Sequence, residues 1–299
     1  MPIIFISRGT MSGVHLLVDY LHNQTGIRCI SREDLEKDVN EHGEIAVRVL
    51  EKLAKAPLAY DQFSELRWPY MVLMRKALLE VIRHDNMVYH GYSSHLLLPA
   101  FRHFVRVRIE APLEMRVSMT MQRLSCDEEK AREYITIADD HRVKWARFMY
   151  AHDIRNTMLY DLILNLDRVN LKAACGILEC IISEEDFQVT PEAQAEIERL
   201  YLATKIEELL VTDPRTAALE IRAEVRNDGI RLIGPYIENS ELTTIIKIIQ
   251  TVSDTGNVQY HPGYASRFDN NGYFRTRKTA MDKDYSSNSS TLQEGKRNG

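Results

Sequence analysis

Apolar positions in this chain switch repeatedly between a period of two and a helical period. Residues 2–6 (Pro-Ile-Ile-Phe-Ile) are an unbroken apolar run, which predicts a buried strand. Residues 7–13 (Ser-Arg-Gly-Thr-Met-Ser-Gly) hold two glycines and three hydroxyls and predict a turn. From Val14 onward, Leu16, Leu17, Tyr20 and Leu21 form a helical stripe. A short strand over 27–30 precedes Ser31, an N-cap with Glu33 and Asp34 in the first turn of the next helix. Helices are predicted over 41–55 and 70–83, with two prolines breaking 56–69. Residues 86–90 read as a buried strand and 91–94 as a loop. Residues 104–110 alternate strictly, a strand with one polar edge. Three arginine-bearing helices over 113–124, 126–136 and 139–150 lead to a strand over 160–166 and a helix over 171–182.

Strands alternating with helices predict an α/β fold, a parallel sheet with helices on both faces. Ligands in such folds bind at the carboxyl ends of the strands, which brings the loops after Ile6, His90 and Ile109 together. Composition shifts at 184–190, an acidic stretch before Pro191 that reads as a linker. Beyond it come a helix (192–210), strands over 218–226 and 229–234 around a hairpin signal at Asp228-Gly229, a helix (241–252) and a strand (256–260). The remainder, 265–299, is polar and serine-rich and reads as a mostly disordered tail.

With 299 residues, 44% hydrophobic and 27% charged, the chain has the composition of a globular protein of one large or two modest domains. A net charge of −5 gives no general pull toward nucleic acid, and positive charge gathers locally between Arg102 and Arg155. No apolar run reaches the length of a membrane span, and no secretory leader pattern opens the chain. The four cysteines, Cys29, Cys126, Cys175 and Cys180, are too few for a disulfide framework; they predict buried free thiols and a cytoplasmic location. His90 and His95 flank one loop at a strand end, but a zinc site would need more ligands and His103 is on a different element, so no metal site is expected.

Strand, glycine loop, helix is the geometry of a phosphate-binding loop, whose backbone N–H groups and helix dipole attract anions. Here the loop lacks the usual Gly-Lys-Ser/Thr ending, because Val14 follows Gly13 and Gly9 is only four residues earlier. A phosphate site must then rest on the loop amides, the hydroxyls of Ser7, Thr10 and Ser12, and an arginine. Arg8 lies in the loop, where it either clamps phosphate or pins the loop through an ion pair. Gly13 is expected to refuse a side chain because phosphate must approach the backbone, with the fold itself indifferent to Gly13→Val. Tyr89 and Tyr92 offer either base stacking or core packing.

Six stretches occur in the order seen in the cytidylate kinase-like family of bacterial proteins, which residues 1–183 resemble. They are Ile6-Ser7-Arg8, the lysine-free glycine loop, Ser31-Arg32-Glu33, Ala111-Pro112-Leu113-Glu114-Met115-Arg116, Asp139-Asp140-His141-Arg142, and Tyr160-Asp161-Leu162-Ile163-Leu164-Asn165. Typical members carry Ser-Arg-Glu-Tyr-Gly-Ser-Gly-Gly-Arg in the first loop and Gly-Arg-Gly after the middle strand; this chain departs at both places. The resemblance implies a P-loop-type nucleoside monophosphate kinase fold with a helical lid. It further implies transfer of the γ-phosphoryl of ATP, with Mg²⁺ carried by the nucleotide, to CMP or a related monophosphate.

Phosphoryl transfer needs cations around spreading negative charge and exclusion of water. Arg116, Arg123, Arg142 and Arg147 are the candidate lid arginines, with Arg8 as the loop cation; the bland alternative is solvated helix faces. Gly9, Thr10, Ser12, Gly13 and His15 would meet the nucleotide, with Ser7 and Gly91 at the strand ends. Arg32 would hold a monophosphate, Asp140 would pair with Arg142 at the lid hinge, and Asp161 would orient a lid arginine or the base. Residues 191–264 resemble a BON domain, a small α+β module. That resemblance implies a protein or membrane-surface partner. A catalytically degenerate nucleotide sensor or scaffold acting through this module is the alternative to the kinase, and a homodimer stays open.

Overall fold

The computed structural model describes residues 2–41, 64–84, 86–253 and 257–263. The expected helix over 42–55 and the tail over 265–299 lie outside the described residues.

The apolar run at the N-terminus forms β1 (Ile3–Arg8), the central strand of a five-stranded sheet. It is followed by α1 (Val14–Thr25), β2 (Arg28–Ser31), α2 (Arg32–Glu41), α3 (Ser64–Ile82) and β3 (Met87–Gly91). Next come β4 (Phe104–Glu110), α4 (Leu113–Leu124), α5 (Glu128–Tyr150), β5 (Leu162–Asn165) and α6 (Leu171–Ser183). The strand order is β2-β3-β1-β4-β5 and every pairing is parallel. Ile4 lies opposite both Val88 and Val105, so β1 is paired on both edges.

Period-two alternation divides β1 between two cores. Ile3 and Phe5 pack with α2, α3 and the end of α5 through Leu35, Leu78, Trp145 and Met149. Ile4 and Ile6 pack on the other face with α1 and α6 through Leu17, Leu21, Cys175 and Leu178. Each core joins strand residues to apolar faces of the helices that cross between strands, as a doubly covered parallel sheet requires.

Two helices and the cysteines differ from the sequence expectation. Helix α3 runs through Pro69 instead of starting after it, and it is buried almost all round from Tyr70 to Leu79. Burial on every side outweighs the one backbone hydrogen bond that proline removes. The two helices expected over 126–136 and 139–150 are one continuous helix, α5, because Ile137-Ala138 contains no breaker. The thiols are free, but only Cys175 is buried; Cys29 and Cys126 are half-buried and Cys180 is exposed.

The C-terminal part is a second α+β unit: α7 (Pro191–Thr212), β6 (Arg222–Arg226), β7 (Gly229–Gly234), α8 (Asn239–Ile249) and β8 (Val258–Pro262). β6 and β7 are an antiparallel hairpin, and β8 pairs parallel to β7 after the α8 crossover. Gly229 at the hairpin has φ +144°, and a Cβ there would sit 2.3 Å from the Asn257 carbonyl oxygen, so only glycine fits.

Helix α7 belongs to both units. Ile197 and Leu200 join the core beneath the large sheet, Val211 packs on Trp68 and Val72 of α3, and Ala203, Ile206 and Leu210 face the small sheet. The stretch before it is ordered by a short 3-10 turn, Glu185–Phe187. Among the described residues, no helix is long and apolar enough to cross a membrane.

Candidate functional site

The carboxyl end of β1 passes into a tight loop held from several sides. The Gly9 amide donates to the Ile109 carbonyl of β4 at 3.4 Å, and the Ser12 amide donates to the Gly9 carbonyl at 3.3 Å. Gly13 is the N-cap of α1 with φ +81°, and its carbonyl accepts from the Leu16 amide at 3.0 Å. An added Cβ at Gly13 would meet only Leu166 and Met115, at 3.5 and 3.8 Å, both ordinary contacts. The positive φ is what forbids a side chain there, so Gly13→Val costs stability as well as backbone access, against the sequence expectation.

A cleft of about 320 Å³ opens over this loop, lined by residues 8–15, Glu33, Tyr92, Arg123, Leu124, Tyr134 and Arg142. At the start of α1 the Leu16 and Leu17 amides close onto the Gly13 carbonyl, while the Val14 and His15 amides precede the first helical bond, and the helix dipole adds partial positive charge there. Thr10 and Ser12 are each 2% exposed, and their hydroxyls have no hydrogen-bond partner among the described residues. Two buried hydroxyls beside the first amides of α1 put several donors on one side of the cleft, a lining with the chemistry of an anion site.

Helices α4 and α5 form a hairpin above the loop, held by a small core of Val117, Ala131 and Ile135. Asp127 caps α5 by accepting from the Lys130 amide at 2.9 Å. Two arginines of this hairpin bind loop carbonyls. Arg116 Nε donates to Thr10 O at 2.7 Å while its other nitrogen pairs with Asp139, and an Arg142 nitrogen donates to Arg8 O at 2.8 Å. Arg8 is ion-paired with Glu33 in the first turn of α2. Burial alone would raise the Glu33 pKa, but Arg8 overrides it and holds the carboxyl below its ordinary value. Helix α2 is anchored by reciprocal bonds between Ser31 and Asp34, with Ser31 Oγ to Asp34 Oδ2 at 2.6 Å and the Asp34 amide to Ser31 Oγ at 3.1 Å.

The expected site residues divide clearly. Arg8, Gly9, Thr10, Ser12, Gly13, His15, Arg123 and Arg142 line the cleft, and Arg116 holds the loop from above. Ser7 is buried within the strand beneath the cleft. Gly91 is a packing glycine: a Cβ there would meet the Tyr89 hydroxyl at 2.8 Å and Arg32 Cβ at 3.0 Å. Arg32 stands behind the cleft with its donors committed to Glu36 and the Tyr70 hydroxyl.

Two residues lie elsewhere. Arg147 pairs with Asp153 beyond the end of α5. Asp161 precedes β5 and is paired with Arg106, whose Nε and backbone amide both donate to it at 2.9 Å. That is the wrong end of a parallel strand for the cleft. Asp140 pairs with Lys144 one turn on, not with Arg142. Glu33, Tyr92 and Tyr134 complete the cleft. The acidic first turn at Glu33 was visible in the sequence as a helix start, and only the packing of α2 against β1 turned it toward Arg8.

A parallel sheet ordered β2-β3-β1-β4-β5, a glycine loop between its central strand and α1, and a helical hairpin over that loop define a P-loop-type, nucleotide-binding kinase-like fold. The chain belongs to the cytidylate kinase-like family, whose family model matches residues 3–168, more than half of the chain. No curated protein matches it. Among solved structures it is similar to an uncharacterized protein from Eubacterium ventriosum, with 17% identity, TM-score 0.47, and coverage of 62% of this chain and 100% of that one. It is also similar to shikimate kinase from Bacteroides thetaiotaomicron, with 13% identity, TM-score 0.38, and coverage of 61% and 99%.

Proposed function

We propose that this chain is a nucleoside monophosphate kinase, binding Mg²⁺–ATP over the Arg8–His15 loop and transferring the γ-phosphoryl to CMP or a related monophosphate. The observation that carries the reading is the pair of buried hydroxyls, Thr10 and Ser12, unpartnered among the described residues, under the arginines of α4 and α5. The residues present fit a polyphosphate: the Val14 and His15 amides at the start of α1 and hydroxyls within the loop receive its oxygens, and Arg8, Arg123 and Arg142 meet the charge that spreads in the transition state. Bound Mg²⁺ would neutralise the β- and γ-oxygens. The acceptor in such a reaction is a phosphate oxygen, already an anion, so no general base is needed. The carboxyl lining the cleft is accordingly held ionised, since Glu33 lies below its ordinary pKa.

Arginine replaces the usual loop lysine in this reading. It has a fixed fork of donors and keeps its charge when buried. For the C-terminal unit we infer a BON-like interaction module with a protein or membrane surface as partner; the order α7-β6-β7-α8-β8 supports it.

A coupled phosphotransfer assay across the common nucleoside monophosphates, run beside calorimetric titration with Mg²⁺–ATP, tests the proposal. Monophosphate-dependent turnover of ATP is expected. ATP binding with no transfer to any monophosphate would overturn the kinase reading in favour of a sensor, and absence of ATP binding at millimolar concentration would overturn nucleotide binding altogether.

A further inference from the structure

One aromatic ring sits where the loop, the second helix and the lid meet. Tyr92 follows the last residue of β3 and lines the cleft. The guanidinium carbons of Arg8, Arg32 and Arg142 lie 5.0, 5.1 and 4.1 Å from its ring centroid. These arginines come from the end of β1, the start of α2 and the middle of α5, so no local sequence relationship brings them together.

Guanidiniums gathered around one ring repel each other. Arg8 is offset by Glu33 and Arg32 by Glu36. Arg142 has no carboxylate partner among the described residues; its contacts are the Arg8 carbonyl and the Tyr92 ring. Burial lowers its pKa and neighbouring Arg8 pushes the same way, while the Tyr92 hydroxyl and Asp139 oppose them. The ring contact stands on geometry: the Arg142 guanidinium carbon is 4.1 Å from the centroid, against the negative face of the tyrosine.

We propose that Tyr92 is a positioning residue: its ring holds Arg8 and Arg142 as a preformed cationic pair beside the loop, ready for a polyphosphate anion, while Arg32, with its donors committed to Glu36 and Tyr70, packs against the same ring. This rests on the nucleotide reading above for its ligand, but not for its geometry. Preassembly removes the ordering cost of long side chains at the moment of binding. The ring's role is distinct from stacking on a nucleobase, because its surroundings are cations and not an open apolar slot.

The test compares Tyr92→Phe, which keeps the ring, with Tyr92→Leu, which keeps only apolar bulk. Affinities for Mg²⁺–ATP and for inorganic tripolyphosphate are measured by calorimetry. Tyr92→Leu is expected to weaken both probes by about tenfold or more, and Tyr92→Phe to stay within about threefold of wild type. Weakening of ATP alone, with tripolyphosphate unchanged, would overturn the proposal in favour of base stacking. Equal weakening by Phe and Leu would also overturn it.

A second readout needs no ligand. In NMR spectra the side-chain Nε–H protons of Arg8 and Arg142 should be shifted upfield by the ring in wild type and in Tyr92→Phe, and should return downfield in Tyr92→Leu; Arg32 is left out because it also lies on the Trp145 ring. Unchanged proton positions in Tyr92→Leu would sink the inference even where nucleotide binding holds. Ring-dependent shifts without any ATP binding would sink the nucleotide reading and leave the pair standing.

Discussion

Buried histidines show how single side chains in this fold carry pH dependence. His95 is 5% exposed in the turn after β3, its ring lies 5.2 Å from that of Tyr160, and its Nε2 has no partner. Burial, reinforced by Arg106 and His152 and opposed by Asp161, pushes its pKa down from 6.5 to about 3. The folded state therefore binds fewer protons than the unfolded state between those values. Its contribution to stability is full above pH 6.5 and is lost as pH falls from 6.5 toward 3. Urea unfolding at pH 7 and pH 5 should show a clear loss of stability in wild type. The His95→Gln variant should show a smaller loss, because its side chain does not titrate. An identical pH slope in the two proteins would remove His95 as a source of it.

At the scale of elements, the α4–α5 hairpin is fastened to the loop by few polar contacts. Arg116 joins Thr10 O to Asp139, and thereby ties α4, α5 and the loop together. Its loss should loosen the hairpin without unfolding the sheet, whose cores do not include it. Hydrogen exchange of amides in α4 should accelerate several-fold in Arg116→Met, with β1 and β4 protected as before. Uniform acceleration across the sheet would show that Arg116 supports the whole fold instead. The elements themselves were largely legible in the sequence. Strict alternation placed β4, the apolar run placed β1, and the Ser31 cap placed α2. Two helices were misjudged for different reasons. The breaker rule stopped a helix at Pro69, whereas burial from all sides carried α3 through its proline, and α5 was divided at a place that holds no breaker.

At the scale of the whole molecule, α7 is the joint between the two sheets. Glu207 of α7 is fully buried, accepts from the Ala223 amide of β6 at 3.0 Å, and pairs with Arg75 of α3 at 3.3 Å. Arg75 also donates to the Leu97 carbonyl, in the loop that follows β3, at 2.9 Å. Burial raises the Glu207 pKa while Arg75 and the Ala223 amide act against it. Arg75→Met would leave that carboxyl buried beside an apolar chain and should cost about 3–5 kcal/mol, read as a large drop in the urea midpoint. Replacing both partners with apolar residues should recover most of it. A small effect of the single variant would mean that water reaches Glu207. Because α7 also fills the core beneath the large sheet through Ile197 and Leu200, a chain ending at 183 should be less stable than the whole.

The sequence by itself determined the elements, the parallel α/β class and the loop, since period, glycine position and capping are local properties of the chain. It also picked out Arg8, Thr10, Ser12, Gly13, Arg123 and Arg142, all of which line the cleft. Only the tertiary structure decided which arginines reach the cleft. Arg147 and Asp161 carry the same chemistry as the chosen residues, but one pairs with Asp153 from the last turn of α5 and the other lies at the opening end of β5. Arg8, Arg32 and Arg142 meet on Tyr92 because β1, α2 and α5 converge there. Convergence of that kind is set by how helices pack across a sheet, and no spacing along the chain encodes it.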